Sequence, residues 1–219
     1  MVKQTIGRLG FSLVAAVSML IGAGCAGTGS TFYLDLQQKQ EPPTFVESEP
    51  VKIVIEPFED RRAEKGHVGI RTHLWGGVTH FNVAGERPGD VIAQALADRL
   101  KANGWKNKPW TVKVASGATA TNAGDADIVI SGQILDFSAN AKSRIFSTVV
   151  NTSSKLVITA KNLVDQSTTT RNIEGTQRET IVWFNEEDVQ TILSALLQDG
   201  LTRYIADTTI DQKALRPAR

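Results

Sequence analysis

The chain has 219 residues, 41% apolar and 21% charged, with a formal net charge of +1. These values suit a globular body whose core needs no disulfide. They exclude a polybasic surface for nucleic acid, and the single cysteine, Cys25, excludes an intrachain disulfide framework.

Residues 1–8 carry Lys3 and Arg8 and no acid, Leu9 to Ile21 is apolar apart from Gly10, Ser12 and Ser18, and Gly22, Ala23 and Gly24 lead into Cys25. This is the charged, apolar and small-residue succession of a secretory signal. The apolar run falls short of the ~20 residues that a spanning helix needs. The small residues before a lone cysteine resemble the lipobox of bacterial lipoproteins, with Gly22 where a leucine is commonest. That resemblance implies cleavage before Cys25 and acylation of its thiol and new amine. Lipidation of Cys25 is therefore expected, and loss of Lys3 and Arg8 would take the net charge from +1 to −1. The acyl chains would hold the protein to a membrane, at ~0.8 kcal/mol per buried methylene. Ala26 stands where Asp would signal inner-membrane retention, so by analogy with lipoprotein sorting the expected site is the outer membrane, with the body facing the periplasm.

The expected organisation is a signal peptide over 1–24, a lipidated cysteine and flexible tether over 25–50, one α+β domain over 51–210, and a polar tail over 211–219. Within the tether, Phe32, Leu34 and Leu36 alternate with polar residues, which fits a short edge strand or a tether equally. The domain opens with Val51, Ile53 and Ile55, a strand with one buried face, closed by Pro57. Residues 59–87 read as irregular, with short strands at 68–72 and 78–84. Pro88 and Asp90 open a helix whose stripe is Ile92, Ala95, Leu96 and Leu100. Asn103-Gly104 stops it, with Gly104 expected in the left-handed closing position. A strand over 111–115 precedes a small-residue loop at 116–124.

A long strand is expected over 127–138, and residues 147–152 are either irregular or the start of the next. Residues 155–164 should pair with 168–182 across the turn Asp165-Gln166-Ser167. In the last helix Asn185 is the N-cap and Glu186, Glu187 and Asp188 place negative charge at its positive end. Its apolar stripe runs from Val189 to Ile205. Two one-sided helices and a sheet with one apolar face bury each other. The expected fold is α+β: a two-layer sandwich of a mixed, mostly antiparallel sheet with both helices on one face.

Chemistry-bearing motifs are sparse. His67, His73 and His80 lie six and seven residues apart, unlike zinc-ligand spacing, so no metal is expected. There is no nucleophile elbow and no phosphate-cradling glycine loop. Cys25 is assigned to the anchor. No enzymatic activity and no cofactor are expected. Trp105, Trp110 and Trp183 flank helix ends and read as packing residues. The unusual segment is 59–86, with Asp60, Arg61, Arg62, Arg71, His73, Trp75, Gly76 and Gly77 as a candidate binding loop, since arginine and tryptophan are favoured at interfaces. The competing reading is a local ion pair of Asp60 with one arginine, and Trp75 filling a core edge.

Asp60-Arg61, Gly69-Ile70-Arg71, Gly76-Gly77 and Val83-Ala84-Gly85-Glu86, leading into a helix that ends Asn103-Gly104-Trp105, resemble the YajG-type outer-membrane lipoproteins, as do the strand at Ala126-Asp127 and the last helix. The resemblance covers residues 25–207. It implies a lipoprotein α+β domain and carries over no catalytic residues. The expected role is a lipid-anchored, non-enzymatic binding or accessory module. Its partners would be the membrane, through acyl chains, and an envelope protein or peptidoglycan. A peptidoglycan- or lipid-binding module is the alternative, and a metal-dependent hydrolase the weakest.

Overall fold

The computed structural model describes residues 30–36, 50–85, 87–105, 109–115 and 125–218. The leader, Cys25, much of the expected tether, Glu86 and the loop 116–124 lie outside the described residues.

A nine-stranded mixed sheet is built around β7 (Ile128–Ser143). Along one edge β7 pairs antiparallel with β8 (Thr148–Asn162), which pairs antiparallel with β9 (Thr168–Ile181). The other edge of β7 serves three parallel partners in succession. These are β2 (Val51–Ile55) at 128–130, β3 (Glu59–Asp60) at 133–134, and β4 (Gly69–Thr72) at 141–142. Beyond β2 lies β6 (Trp110–Val114), in parallel. Beyond β4 lie β5 (Val78–Val83), antiparallel to it, and then β1 (Thr31–Leu34), parallel to β5. Residues 31–34 are thus an edge strand of the folded body, and Leu34 and Leu36 are buried. The tether reading of that stretch is corrected: alternating apolar side chains found a sheet edge to cover.

The helices α1 (Pro88–Asn103) and α2 (Glu186–Ala206) touch each other and pack on the sheet, giving the α+β sandwich. The buried stripe of α2 includes Val189, Leu193, Leu197 and Leu201. Its N-terminus is a capping box: Asn185 Oδ1 accepts from the Asp188 amide at 3.1 Å, and the Asn185 amide donates to Asp188 Oδ2 at 2.8 Å. At the end of α1, Gly104 is extended (φ −63°, ψ −168°) rather than left-handed. It is needed there for space, because a Cβ would lie 2.2 Å from the Trp110 ring.

Strand β7 keeps one apolar face over its whole length only because it shifts register. Ile128, Ile130 and Ile134 point inward at even positions, and Phe137, Ala139 and Ala141 at odd ones. A bulge between Ile134 and Asp136 exchanges the two faces. A strict period of two therefore fails across residue 135, and the strand runs on to Ser143, five residues past its expected end at Ser138.

At the end of the sheet where β7 begins, the chain is closed by residues read from sequence as a polar tail. Instead, 211–217 complete a hairpin of β10 (Thr208–Asp211) and β11 (Ala214–Pro217), with Ala214 and Leu215 buried. The fully buried Asn162 holds it: its Oδ1 accepts from the Leu215 amide at 2.8 Å and its Nδ2 donates to the Leu215 carbonyl at 3.1 Å. Arg216 adds an ion pair with Asp165. Too short an apolar run, Ala-Leu, gave no periodicity to read. Trp105 and Trp110 are also buried at this end, edge-to-face with centroids 6.2 Å apart. Their indole N–H groups donate to Thr208 Oγ1 (3.0 Å) and the Trp105 carbonyl (3.2 Å).

Candidate functional site

The opposite end of the sheet is different. Strands β4, β7 and β9 end there, and β1, β5 and β8 begin there, as the registers Thr72↔Lys142, Ser143↔Thr148, Thr148↔Ile181 and Thr31↔His80 require. Three connections meet at this rim: 73–77 between β4 and β5, 144–147 between β7 and β8, and 182–185 between β9 and α2.

Each connection carries an exposed apolar pair. Leu74-Trp75 is on the first, with Trp75 92% exposed; Ile145-Phe146 on the second, at 74% and 84%; Val182-Trp183 on the third, at 63% and 91%. Hairpin apices normally hold Gly, Asn, Asp or Ser, so an Ile-Phe apex conflicts with the local rule. Such conflicts concentrate at functional positions. Trp183 was expected to pack and Trp75 to fill a core edge on the competing reading; both instead stand exposed, because among the described residues no element lies over the ends of these strands.

The base of the rim is tied together by Arg71. Its Nε donates to Ser143 Oγ (3.1 Å) on β7, its Nη1 to Glu186 Oε1 (2.7 Å) at the start of α2, and its guanidinium lies 4.3 Å from the centroid of Phe184. One side chain thereby joins all three connections. The first turn is shaped by Gly76 and Gly77, both at positive φ (88° and 83°), which closes His73 N–H onto the Gly77 carbonyl at 3.2 Å. His73 Nε2 pairs with Thr79 Oγ1 at 2.9 Å, and Thr79 Oγ1 lies 3.4 Å from Ser30 Oγ. The N-terminal segment thus joins the sheet at this same rim, where the Ser30 carbonyl accepts from the His80 amide at 2.9 Å.

The candidate loop accordingly divides. Arg71, His73, Trp75, Gly76 and Gly77 build the rim. Asp60, Arg61 and Arg62 lie further down the sheet, beside β7 at 133–137. There the buried Arg62 grips Asp60 through Nε (3.0 Å) and Nη2 (2.9 Å), while its Nη1 donates to the carbonyls of His67 (3.1 Å) and Phe137 (3.2 Å). Partial burial opposes ionisation of Asp60. The hydrogen bonds from Arg62, with the charges of Arg62 and Lys65, outweigh it and hold the carboxyl below its usual range. Arg61 is exposed and pairs with Glu59 at 2.8 Å. The ion-pair reading therefore describes Asp60 and Arg62.

The rings of His67 and His80 meet edge-on at 4.9 Å, while His73 is engaged with Thr79. Among the described residues no group of three or more His, Cys, Asp or Glu side chains is placed to hold a metal ion. An open cleft of about 720 Å³ between α1 and β6 has a mixed lining, with Arg87, Asp90, Lys101 and Lys113 beside Val91, Val112 and Val114. Among the described residues no helix is long and apolar enough to cross a membrane. Of the rim, the sequence pointed to Trp75 and missed Ile145, Phe146 and Val182. The available signal was an apolar pair between two strand-like runs with no turn residue to explain it.

No family model and no curated protein matches the sequence. Solved structures of similar chain path include protein XCC0632 from Xanthomonas campestris, at 10% identity and a TM-score of 0.45, spanning 82% of this chain and 93% of that one. Lipoprotein GNA1162 from Neisseria meningitidis has 11% identity and a TM-score of 0.34 over 68% of this chain and 97% of that one. PelC from Paraburkholderia phytofirmans, solved as a dodecamer, has 12% identity and a TM-score of 0.36 over 74% and 93%. These likenesses concern the path of the chain alone.

Proposed function

We propose that this protein is a lipid-anchored envelope lipoprotein, acylated at Cys25, whose body acts as a non-enzymatic binding or accessory module on the periplasmic side of the outer membrane. The observation that carries the reading is a lone cysteine placed directly after an apolar run and three small residues, with only Ala26, Gly27, Thr28 and Gly29 between it and the first described residue, Ser30. The resemblance to YajG-type lipoproteins supports the same reading. The side chains that drew notice for chemistry are engaged in holding the fold: Asp60 with Arg62, Arg71 with Glu186, and His73 with Thr79. What is left unengaged at the rim is apolar surface, which suits binding. The envelope partner would be a protein or peptidoglycan.

Metabolic labelling with an alkyne fatty acid tests the anchor. The wild-type protein is expected to take up label, and Cys25→Ser to take up none. Label in the serine variant, or none in the wild type, contradicts the reading.

A further inference from the structure

Six apolar side chains on three connections from separate parts of the chain stand at one rim: Leu74, Trp75, Ile145, Phe146, Val182 and Trp183. Nothing in the core requires them. The tips project as separate turns, and the two tryptophans and Phe146 are at least 84% exposed. Large apolar side chains gathered exposed at one rim mark an interaction site.

The path of the N-terminus identifies what covers it. The chain joins β1 at this rim, with Ser30 bonded to His80, and Cys25 lies five residues earlier. Five residues reach at most roughly 18 Å when fully extended. An acyl anchor at Cys25 therefore holds this rim, and not the Trp105–Trp110 end, against the bilayer. Tryptophan has an apolar ring and a polar N–H and favours the head-group level of a membrane. Charges around the tips are of both signs, Lys142 and Arg144 against Glu186 and Glu187, so the attraction is apolar rather than a matter of anionic lipid.

We propose that the rim formed by residues 73–77, 144–147 and 182–185 docks directly on the lipid bilayer, its aromatic tips entering the interfacial layer and fixing the orientation of the body on the membrane. This rests on the Cys25 anchor for proximity and adds a second, protein-based contact. Arg71 is the positioning residue that keeps the three tips in register.

The test uses the full native protein, purified from membranes and reconstituted into phosphatidylcholine vesicles with plain or brominated acyl chains. Bromine quenches only indoles that reach the lipid. Of the four tryptophans, Trp75 and Trp183 sit at the rim, and Trp105 and Trp110 are buried at the other end. The expected result is loss of the Trp75 and Trp183 emission in brominated vesicles, with the remainder unquenched. The double variant W75S/W183S, folded by circular dichroism, should be indifferent to bromine. An acylated, folded protein whose emission is untouched by brominated lipid overturns the docking and leaves the anchor standing. Quenching that persists in the double variant overturns it as well, as does a stable dimer with both indoles shielded from lipid. The mass of the N-terminal peptide scores the anchor separately.

Discussion

The four tryptophans divide between the two ends of one sheet and meet opposite fates. Trp105 and Trp110 lie 4% and 7% exposed, ring against ring, each indole N–H bonded to Thr208 or to the Trp105 carbonyl. Trp75 and Trp183 stand 92% and 91% exposed on turns. Residue type does not decide the outcome; what lies across the strand ends does. At one end α1 and the β10–β11 hairpin close over the apolar side chains and supply polar partners. At the other the strands finish in short turns that none of the described residues cover. The first end is built for stability, and the second is the surface proposed to meet the bilayer.

That contrast predicts a ranking of substitutions. The largest effect should come from Arg62, whose loss strands a partly buried Asp60 and the carbonyls of His67 and Phe137. Arg62→Ala should cost about 3–5 kcal/mol in denaturant unfolding. The same pair governs acid stability. Because the Asp60 carboxyl is held below its usual range, its contribution is present above the ordinary carboxylate pKa and is lost as pH falls through the depressed one. Asp60→Asn should flatten the acid limb of a stability–pH curve; an unchanged limb would mean that other carboxylates carry it.

Next comes Asn162→Ala, which leaves the Leu215 amide unpaired in a buried site, its carbonyl keeping only the bond from Thr169 Oγ1, and should cost about 2–3 kcal/mol. Hydrogen exchange at Leu215 should accelerate in that variant while α2 stays protected. Smaller still, Trp105→Phe removes the bond to Thr208 at roughly 1–2 kcal/mol. The smallest effect belongs to the rim: Trp75→Ser and Trp183→Ser should each stay within about 0.5 kcal/mol of the parent. A larger loss at either would mean that the rim serves the fold after all.

Periodicity in the sequence carried much of the architecture. The stripes of both helices, the Asn185 cap and the β8–β9 turn were legible because each is a local pattern with a local cause. The bulge in β7 was not, since it breaks the period that reveals a strand. The β10–β11 hairpin escaped because it is held by residues distant in the chain, the buried Asn162 with Asp165 and Thr169. The rim was legible only in part. Trp75 lies in a segment already conspicuous for arginine and glycine. Ile145-Phe146 fell between expected strands, Val182 at the end of one, and Trp183 read as a packing residue, and only the registers of β7, β8 and β9 reveal them as neighbouring tips. The same registers separate Arg71 from Asp60 and Arg62, which chain proximity had grouped together.

The orientation of the body on the membrane can be read residue by residue from the indole N–H signals of the four tryptophans. These would be recorded by NMR on the acylated protein in lipid nanodiscs, with and without a nitroxide on the lipid head group. Broadening of the Trp75 and Trp183 signals, with those of Trp105 and Trp110 left sharp, is the predicted result. Uniformly sharp signals, or broadening of the Trp105–Trp110 pair instead, would contradict it.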